Sequence, residues 1–169
     1  KGADAADCLS KAQVDALQQI YQGPRNPRTQ ERLFVGQPPG TEAVPGSWGT
    51  WITPANPAGA IQFMFGNSYY GAAVFEDPKW NFRMPDFDRD VRIGDAKAGP
   101  VLNATSPDLR SFPASGGKLV QYHGWGDAAI PASSSIEYYE TVRAFLSTYP
   151  DARTPGAPPA EEFYRLFMV

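Results

Sequence analysis

The residues of this sequence best suited to chemistry stand together at His123-Gly124-Trp125-Gly126-Asp127. An imidazole and a carboxylate four residues apart, with glycines between them, can meet across a loop, and such a pair suits general acid-base work. A plainer reading has His123 hydrogen-bonded at a strand end and Asp127 capping the helix that follows Pro131. A serine hydrolase on an α/β sheet runs Ser, then Asp, then His in chain order. Here the single histidine precedes Asp127, and no Gly-x-Ser-x-Gly elbow occurs, so the sequence does not assemble a self-sufficient triad.

Asp86-Phe87-Asp88-Arg89-Asp90 has the look of a calcium loop. An EF-hand needs glycine at its sixth position and glutamate at its twelfth, and Val91 and Lys97 stand there. The stretch reads instead as an acidic helix start. One cysteine and one histidine supply neither an internal disulfide framework nor a His/Cys metal site.

Trp48, Trp51, Phe63, Phe65, Tyr69, Tyr70, Phe75 and Trp80 crowd into 33 residues. Aromatic faces lining a pocket grip a flat ring by stacking, although most such clusters are core. Trp51 lies among Gly49, Thr50, Thr53 and Pro54, a context that reads as an irregular loop, where a large aromatic borders a cleft more often than it fills a core.

The elements that must position these residues are unevenly signalled. Ser10 with Gln13 forms a capping box and Leu9 with Val14 a hydrophobic staple. Val14, Leu17, Ile20 and Tyr21 follow at helical spacing and Gly23-Pro24 stops them, which predicts a helix over about 11–22. From Pro24 to about Pro57 no regular element is readable. Gly59 to Phe75 predicts a buried helix or two. Asp86 is placed to cap a short helix through Val91 and Ile93, and Ser106-Pro107-Asp108 to start another before Leu109 and Phe112.

The character changes near residue 115. Lys118 to His123 reads as a strand, Gly124 to Ile130 as a loop, and Pro131 to Tyr149 as a helix carrying Ile136, Tyr139, Val142, Phe145 and Leu146. A linker rich in Pro and Gly and a second strand, Phe163 to Val169, follow. Strand, crossover helix, strand predicts a parallel pair in an α/β sheet. Two strands bury too little surface to stand alone, so the chain reads as a piece of something larger.

Composition sets the outer bounds. The 169 residues carry a net charge of -3 and no basic block, which argues against a nucleic-acid partner. Prolines and glycines interrupt the uncharged stretch from Val44 to Phe75, so no membrane span is expected, and Lys1-Gly2-Ala3-Asp4 leads into no apolar run of a signal peptide. Seventeen prolines and sixteen glycines mark a loop-rich fold with a modest aliphatic core.

The run from Gly116 to Ile130, with its Tyr122-His123-Gly124, two-residue spacer and Asp127, resembles the tannase and feruloyl esterase family, which includes the esterase that cleaves mono(hydroxyethyl) terephthalate. Further matching stretches are Tyr138-Tyr139-Glu140, Asp86 to Asp90, Leu102-Asn103-Ala104-Thr105 with Pro107-Asp108-Leu109, Tyr21 with Gly23-Pro24-Arg25, and Arg165 to Val169. They cover nearly the whole chain in order.

The resemblance implies an α/β-hydrolase whose sheet is interrupted by a lid closing over esters of aromatic acids such as hydroxycinnamic or gallic acid. On it, residues 1–105 match the later part of the lid, irregular, α-helical and rich in aromatics. Residues 106–169 match the return into the catalytic domain: a partial sheet of two strands and a crossover helix. It implies that Asp127 is the triad aspartate, Trp51 and Phe65 are lid residues against the substrate ring, and Ile130 is an apolar pocket wall.

The resemblance also implies what stands elsewhere: a nucleophile in a Cys-Ser-x-Gly-Gly elbow upstream, a base in a Pro-Gly-x-x-His-Cys motif after Val169, and the disulfide joining their cysteines. A structural calcium is expected in an upstream lid segment, with no cofactor held by this chain, and the disulfide partner of Cys8 just before Lys1. The expected partners are a small aromatic ester and the remaining part of the parent chain, with no nucleic acid and no membrane, in a secreted or periplasmic protein. The alternative is a non-catalytic module that binds an aromatic ligand.

Overall fold

A computed structural model describes residues 8–148 and 158–169. The reading of Lys1 to Asp4, the helix end at Tyr149 and most of the linker fall outside the described residues. The first helix, α1 (Lys11–Gln22), forms where its cap predicts: Ser10 Oγ accepts from the Gln13 amide and Gln13 Oε1 accepts from the Ser10 amide. None of its residues is buried. Its end is crossed closely by the segment around Gly36, where a Cβ would stand 2.1 Å from the Tyr21 carbonyl oxygen and only glycine fits.

The stretch after Pro24 is mostly irregular, as expected, with one correction. Trp48–Trp51 forms a single helical turn, α2, so Trp51 closes a helix rather than sitting on a loop. Helix α3 (Ile61–Asn67) runs directly into a π-helical turn over Ser68–Val74, closed by the Phe75 amide on the Tyr70 carbonyl. These elements are less buried than the apolar sequence suggests. Met64 and Phe65 are exposed, and α3 buries no residue. Helix α4 (Phe87–Lys97) is longer than expected and is capped by Asp86, which accepts from the Arg89 amide.

After the turn α5 (Gly99–Leu102), the expected helix start at Ser106-Pro107-Asp108 is displaced. Ser106 Oγ accepts from the Asp108 amide and Asp108 Oδ1 from the Arg110 amide, which makes a turn there, and α6 begins only at Ser111 (Ser111–Ala114).

The sheet follows the prediction. Strand β1 (Leu119–His123) and strand β2 (Tyr164–Met168) pair in parallel, Leu119 opposite Tyr164 and His123 opposite Met168. Helix α7 (Ser133–Thr148) makes the crossover. Phe163, expected to start the second strand, ends the one-turn helix α8 (Ala160–Phe163) instead.

One sheet face packs on α7. Val142, Ala160, Phe163 and Tyr164 form the buried cluster there, flanked by Leu109, Leu119, Tyr138, Tyr139 and Leu146. The other face is bare and largely apolar: Val120, Tyr122, Phe167 and Val169 are 67%, 76%, 53% and 69% exposed, with Arg165, opposite Val120, the charged residue among them. Among the described residues, no helix is long and apolar enough to cross a membrane.

Candidate functional site

The loop from Gly124 to Ile130 leaves the carboxyl end of β1, the place where working residues of open α/β sheets collect. Its first turn extends the ladder. The Val169 amide donates to His123 O at 3.0 Å and the Trp125 amide to Val169 O at 2.8 Å.

Asp127 is fixed by both carboxylate oxygens. Oδ1 accepts from the amides of Ala129 (2.8 Å) and Ile130 (3.1 Å), and Oδ2 stands 3.2 Å from His123 Nε2. The side chain thus closes the turn of its own loop rather than capping α7. A carboxylate has about four acceptor positions. Two on Oδ1 are taken by amides, His123 Nε2 stands at a third, and Oδ2 keeps room for another on a side chain 38% exposed. That arrangement suits an acid that receives one further N–H from a base.

His123 is both a strand-end residue and a partner of Asp127. Its Nδ1 lies 2.7 Å from Ser135 Oγ, and its side chain is only 13% exposed. Ser135 Oγ also accepts from Gln121 Nε2 at 2.8 Å, and Gln121 Oε1 accepts from the Tyr164 hydroxyl. Burial, helped by neighbouring Tyr138 and Tyr139, pushes the Tyr164 phenol up to about 12, so it remains a donor through the neutral range.

The rest of the loop is held from the first part of the chain. Ser47 Oγ donates to Gly126 O at 2.7 Å; Gln62 Nε2 and Gln37 Nε2 donate to Ala128 O at 2.6 and 3.2 Å. Val44 packs on Gly126 so closely that a Cβ there would meet it at 3.2 Å. Sequence reasoning missed Gln37, Ser47, Gln62 and Ser135. Isolated polar residues in irregular or helical text carry no periodic signal, and all four act at long or mid range.

Trp51 and Phe65 come together, rings stacked with centroids 6.0 Å apart and planes 9° from parallel. Ile130 projects elsewhere, into a cleft of about 720 Å³ that it lines with Ile20, Phe34, Ile52, Gln62 and Pro131. Neither aromatic ring is among the residues lining that cleft. The remaining aromatics divide as well: Phe63 meets Phe82, Trp48 meets Tyr21, and Tyr70, Phe75 and Trp80 stack beside Tyr69.

The acidic stretch is structural. Asp90 is buried and binds the Trp80 indole, the Asp86 amide and the Arg89 guanidinium. Its burial pushes the carboxyl up, and those three partners, which favour the ionised form, outweigh it and hold the carboxyl below the usual range. Asp88 pairs with Arg28 and Asn26. Among the described residues no group of three or more His, Cys, Asp or Glu is placed to hold a metal ion.

A family model described as "Tannase and feruloyl esterase" matches residues 1–169. The chain belongs to the tannase and feruloyl esterase family. Relatives in that family include an uncharacterized esterase of Xanthomonas campestris pv. campestris, 38% identical over 99% of this chain and 31% of its own length. Another is a probable feruloyl esterase B-2 of Aspergillus terreus, 30% identical over 99% of this chain and 29% of its own. Among solved structures, an esterase from Aspergillus oryzae matches at a TM-score of 0.77 and 25% identity, over 99% of this chain and 30% of that one. Feruloyl esterase B from Aspergillus oryzae matches in fold at a TM-score of 0.75 and 24% identity, over 96% of this chain and 29% of that one. The chain spans about 30% of the length of the relatives it matches. Its parallel strand pair and crossover helix are a partial α/β arrangement within this family of esterases.

Proposed function

We propose that this chain supplies the acid of a Ser-His-Asp triad, and part of the substrate enclosure, to a serine carboxylesterase acting on esters of aromatic acids. The observation that carries the proposal is the partly exposed Asp127 carboxylate beyond β1, whose Oδ1 is held by two backbone amides while Oδ2, with His123 Nε2 at 3.2 Å, keeps room for a further donor. In that role Asp127 orients a histidine contributed from beyond Val169 and stabilises its charged form without taking the proton. The serine comes from the upstream elbow, and the reaction passes through an acyl-enzyme under a backbone oxyanion hole.

In this reading residues 1–105 are the later part of the lid and residues 106–169 belong to the catalytic domain. The Trp51 and Phe65 pair offers an apolar face to the acyl ring, and Ile130 contributes a wall beside the acid loop. The parent is a secreted or periplasmic protein. The calcium of this reading belongs to an upstream lid segment; the Asp86 to Asp90 stretch here is engaged with Arg28, Arg89 and Trp80.

The deciding experiment is Asp127→Asn in the full-length enzyme, assayed on methyl ferulate and methyl gallate. A triad acid predicts a loss in kcat of about 10⁴, because the amide favours the wrong tautomer of the base. A loss below about tenfold in a folded protein would leave Asp127 as a loop-closing residue and the chain as a ligand-binding module.

A further inference from the structure

We propose that His123 is a positioning residue for Asp127, locked by a one-way relay of hydrogen bonds running from buried Tyr164 through Gln121 and Ser135. This rests on the reading of Asp127 as the triad acid and adds a second, non-reacting histidine to the site.

The direction of the relay follows from counting donors. Tyr164, with no solvent exposure, donates to Gln121 Oε1, which turns the amide so that Gln121 Nε2 donates to Ser135 Oγ at 2.8 Å. With that acceptor position filled, the Ser135 hydrogen is free to point to His123 Nδ1, 2.7 Å away. A neutral imidazole that accepts at Nδ1 carries its proton at Nε2. That N–H then faces Asp127 Oδ2 at 3.2 Å.

Turning the Gln121 amide over reverses every bond. Tyr164 would accept, Ser135 would donate to Gln121, and Nδ1 would hold the proton against Ser135. A bare Nε2 lone pair would then face the carboxylate. Only the first direction leaves a neutral His123 giving a donor to Asp127, and Ser135, 7% exposed, is shielded from water that would compete for its bonds.

The consequence is geometric. The two amides on Oδ1 leave the carboxylate able to swing about that oxygen. The third bond, from His123, removes this freedom and leaves the last Oδ2 acceptor aimed one way. His123 touches no reacting atom in this scheme; it acts through Asp127.

The test is a trio of variants in the full-length enzyme. His123→Gln places an amide N–H near the position of Nε2 and keeps the donor to Asp127, whereas His123→Asn reaches only to the position of Nδ1 and loses it. The expected result is a fall in kcat of about 10- to 100-fold for His123→Asn at unchanged KM. His123→Gln should recover to within about 5-fold of the parent. Equal losses in both variants, or no loss in either, overturn the inference, because a merely structural histidine does not distinguish the two amides.

Asp127→Asn is the third variant. If it keeps activity, the triad reading falls and this inference with it; if it loses activity while the His123 pair behaves alike, only the inference falls. Should His123→Asn not fold, Ser135→Ala takes its place. It removes the hydrogen that fixes the tautomer, and an unchanged kcat there overturns the relay.

Discussion

Trp51 and Phe65 lie face to face, 6.0 Å apart and 9° from parallel, one ring at the end of a helical turn and the other on an exposed helix face. Two flat rings so placed already satisfy each other, and a substrate ring joining them extends a stack rather than filling a slot. Trp51→Ala is therefore expected to lower kcat/KM for aromatic acyl esters by about 1 to 3 kcal/mol, the scale of a lost pocket contact. Acetate esters should lose far less. Parallel kinetics on methyl ferulate and p-nitrophenyl acetate check this, and equal losses would make Trp51 a packing residue.

The acid loop gives a second expectation. Gln62 and Gln37 both donate to Ala128 O, with Gln62 the closer at 2.6 Å. Gln62→Ala should cost roughly 0.5 to 1.5 kcal/mol of stability, the net worth of one such bond, since Gln37 still satisfies the carbonyl. Replacing both should cost more than the sum of the two, because the buried carbonyl is then orphaned. Thermal midpoints of the two single variants and the double variant decide it.

A third concerns acid. Arg28, and after it Asn26, hold the Asp88 carboxyl down at about 2, against about 3.9 for a free one. The unfolded chain takes up this proton first as pH falls, so the stability the group contributes is whole above about pH 4 and is lost between about 4 and 2. The pair is open to solvent and its contribution is small. The difference in melting temperature between the parent and Asp88→Asn should shrink across that window. A difference constant from pH 5 to 2 would contradict the pairing.

The bare sheet face supplies a fourth. Val120, Tyr122 and Phe167 on two adjacent strands, with Val169 just beyond, present a largely apolar surface interrupted by Arg165, of the kind isolated domains seldom leave open. The 169-residue chain expressed alone should bind an apolar dye and associate at micromolar concentration. A sharp cooperative melt without dye binding or association would refute this.

What could be read beforehand divides by range. The first helix was legible because its cap and stop are local: Ser10, Gln13 and Gly23 lie within fourteen residues. The parallel pair was legible from the order of strand, helix and strand. The burial of α3 was misjudged because apolar content reports what a helix can cover, not what covers it, and Phe65 remains exposed. Asp127 was singled out by its motif, and the structure sets it in the loop beyond β1 beside His123. Its supports were not, since Ser47 reaches Gly126 across 79 residues and Gln37 reaches Ala128 across 91.

Those long-range supports all end on backbone carbonyls, of Gly126 and of Ala128. A carbonyl is the same whatever side chain its residue bears. The bonds themselves therefore ask nothing of the side chains at 126 and 128, where only packing does, Val44 against Gly126 and the buried surroundings of Ala128. A chimera that exchanged the first hundred residues for those of a relative would disturb the loop even if every residue from Gly124 to Ile130 were left untouched. The shape of this loop is thus written in residues far from it in the sequence.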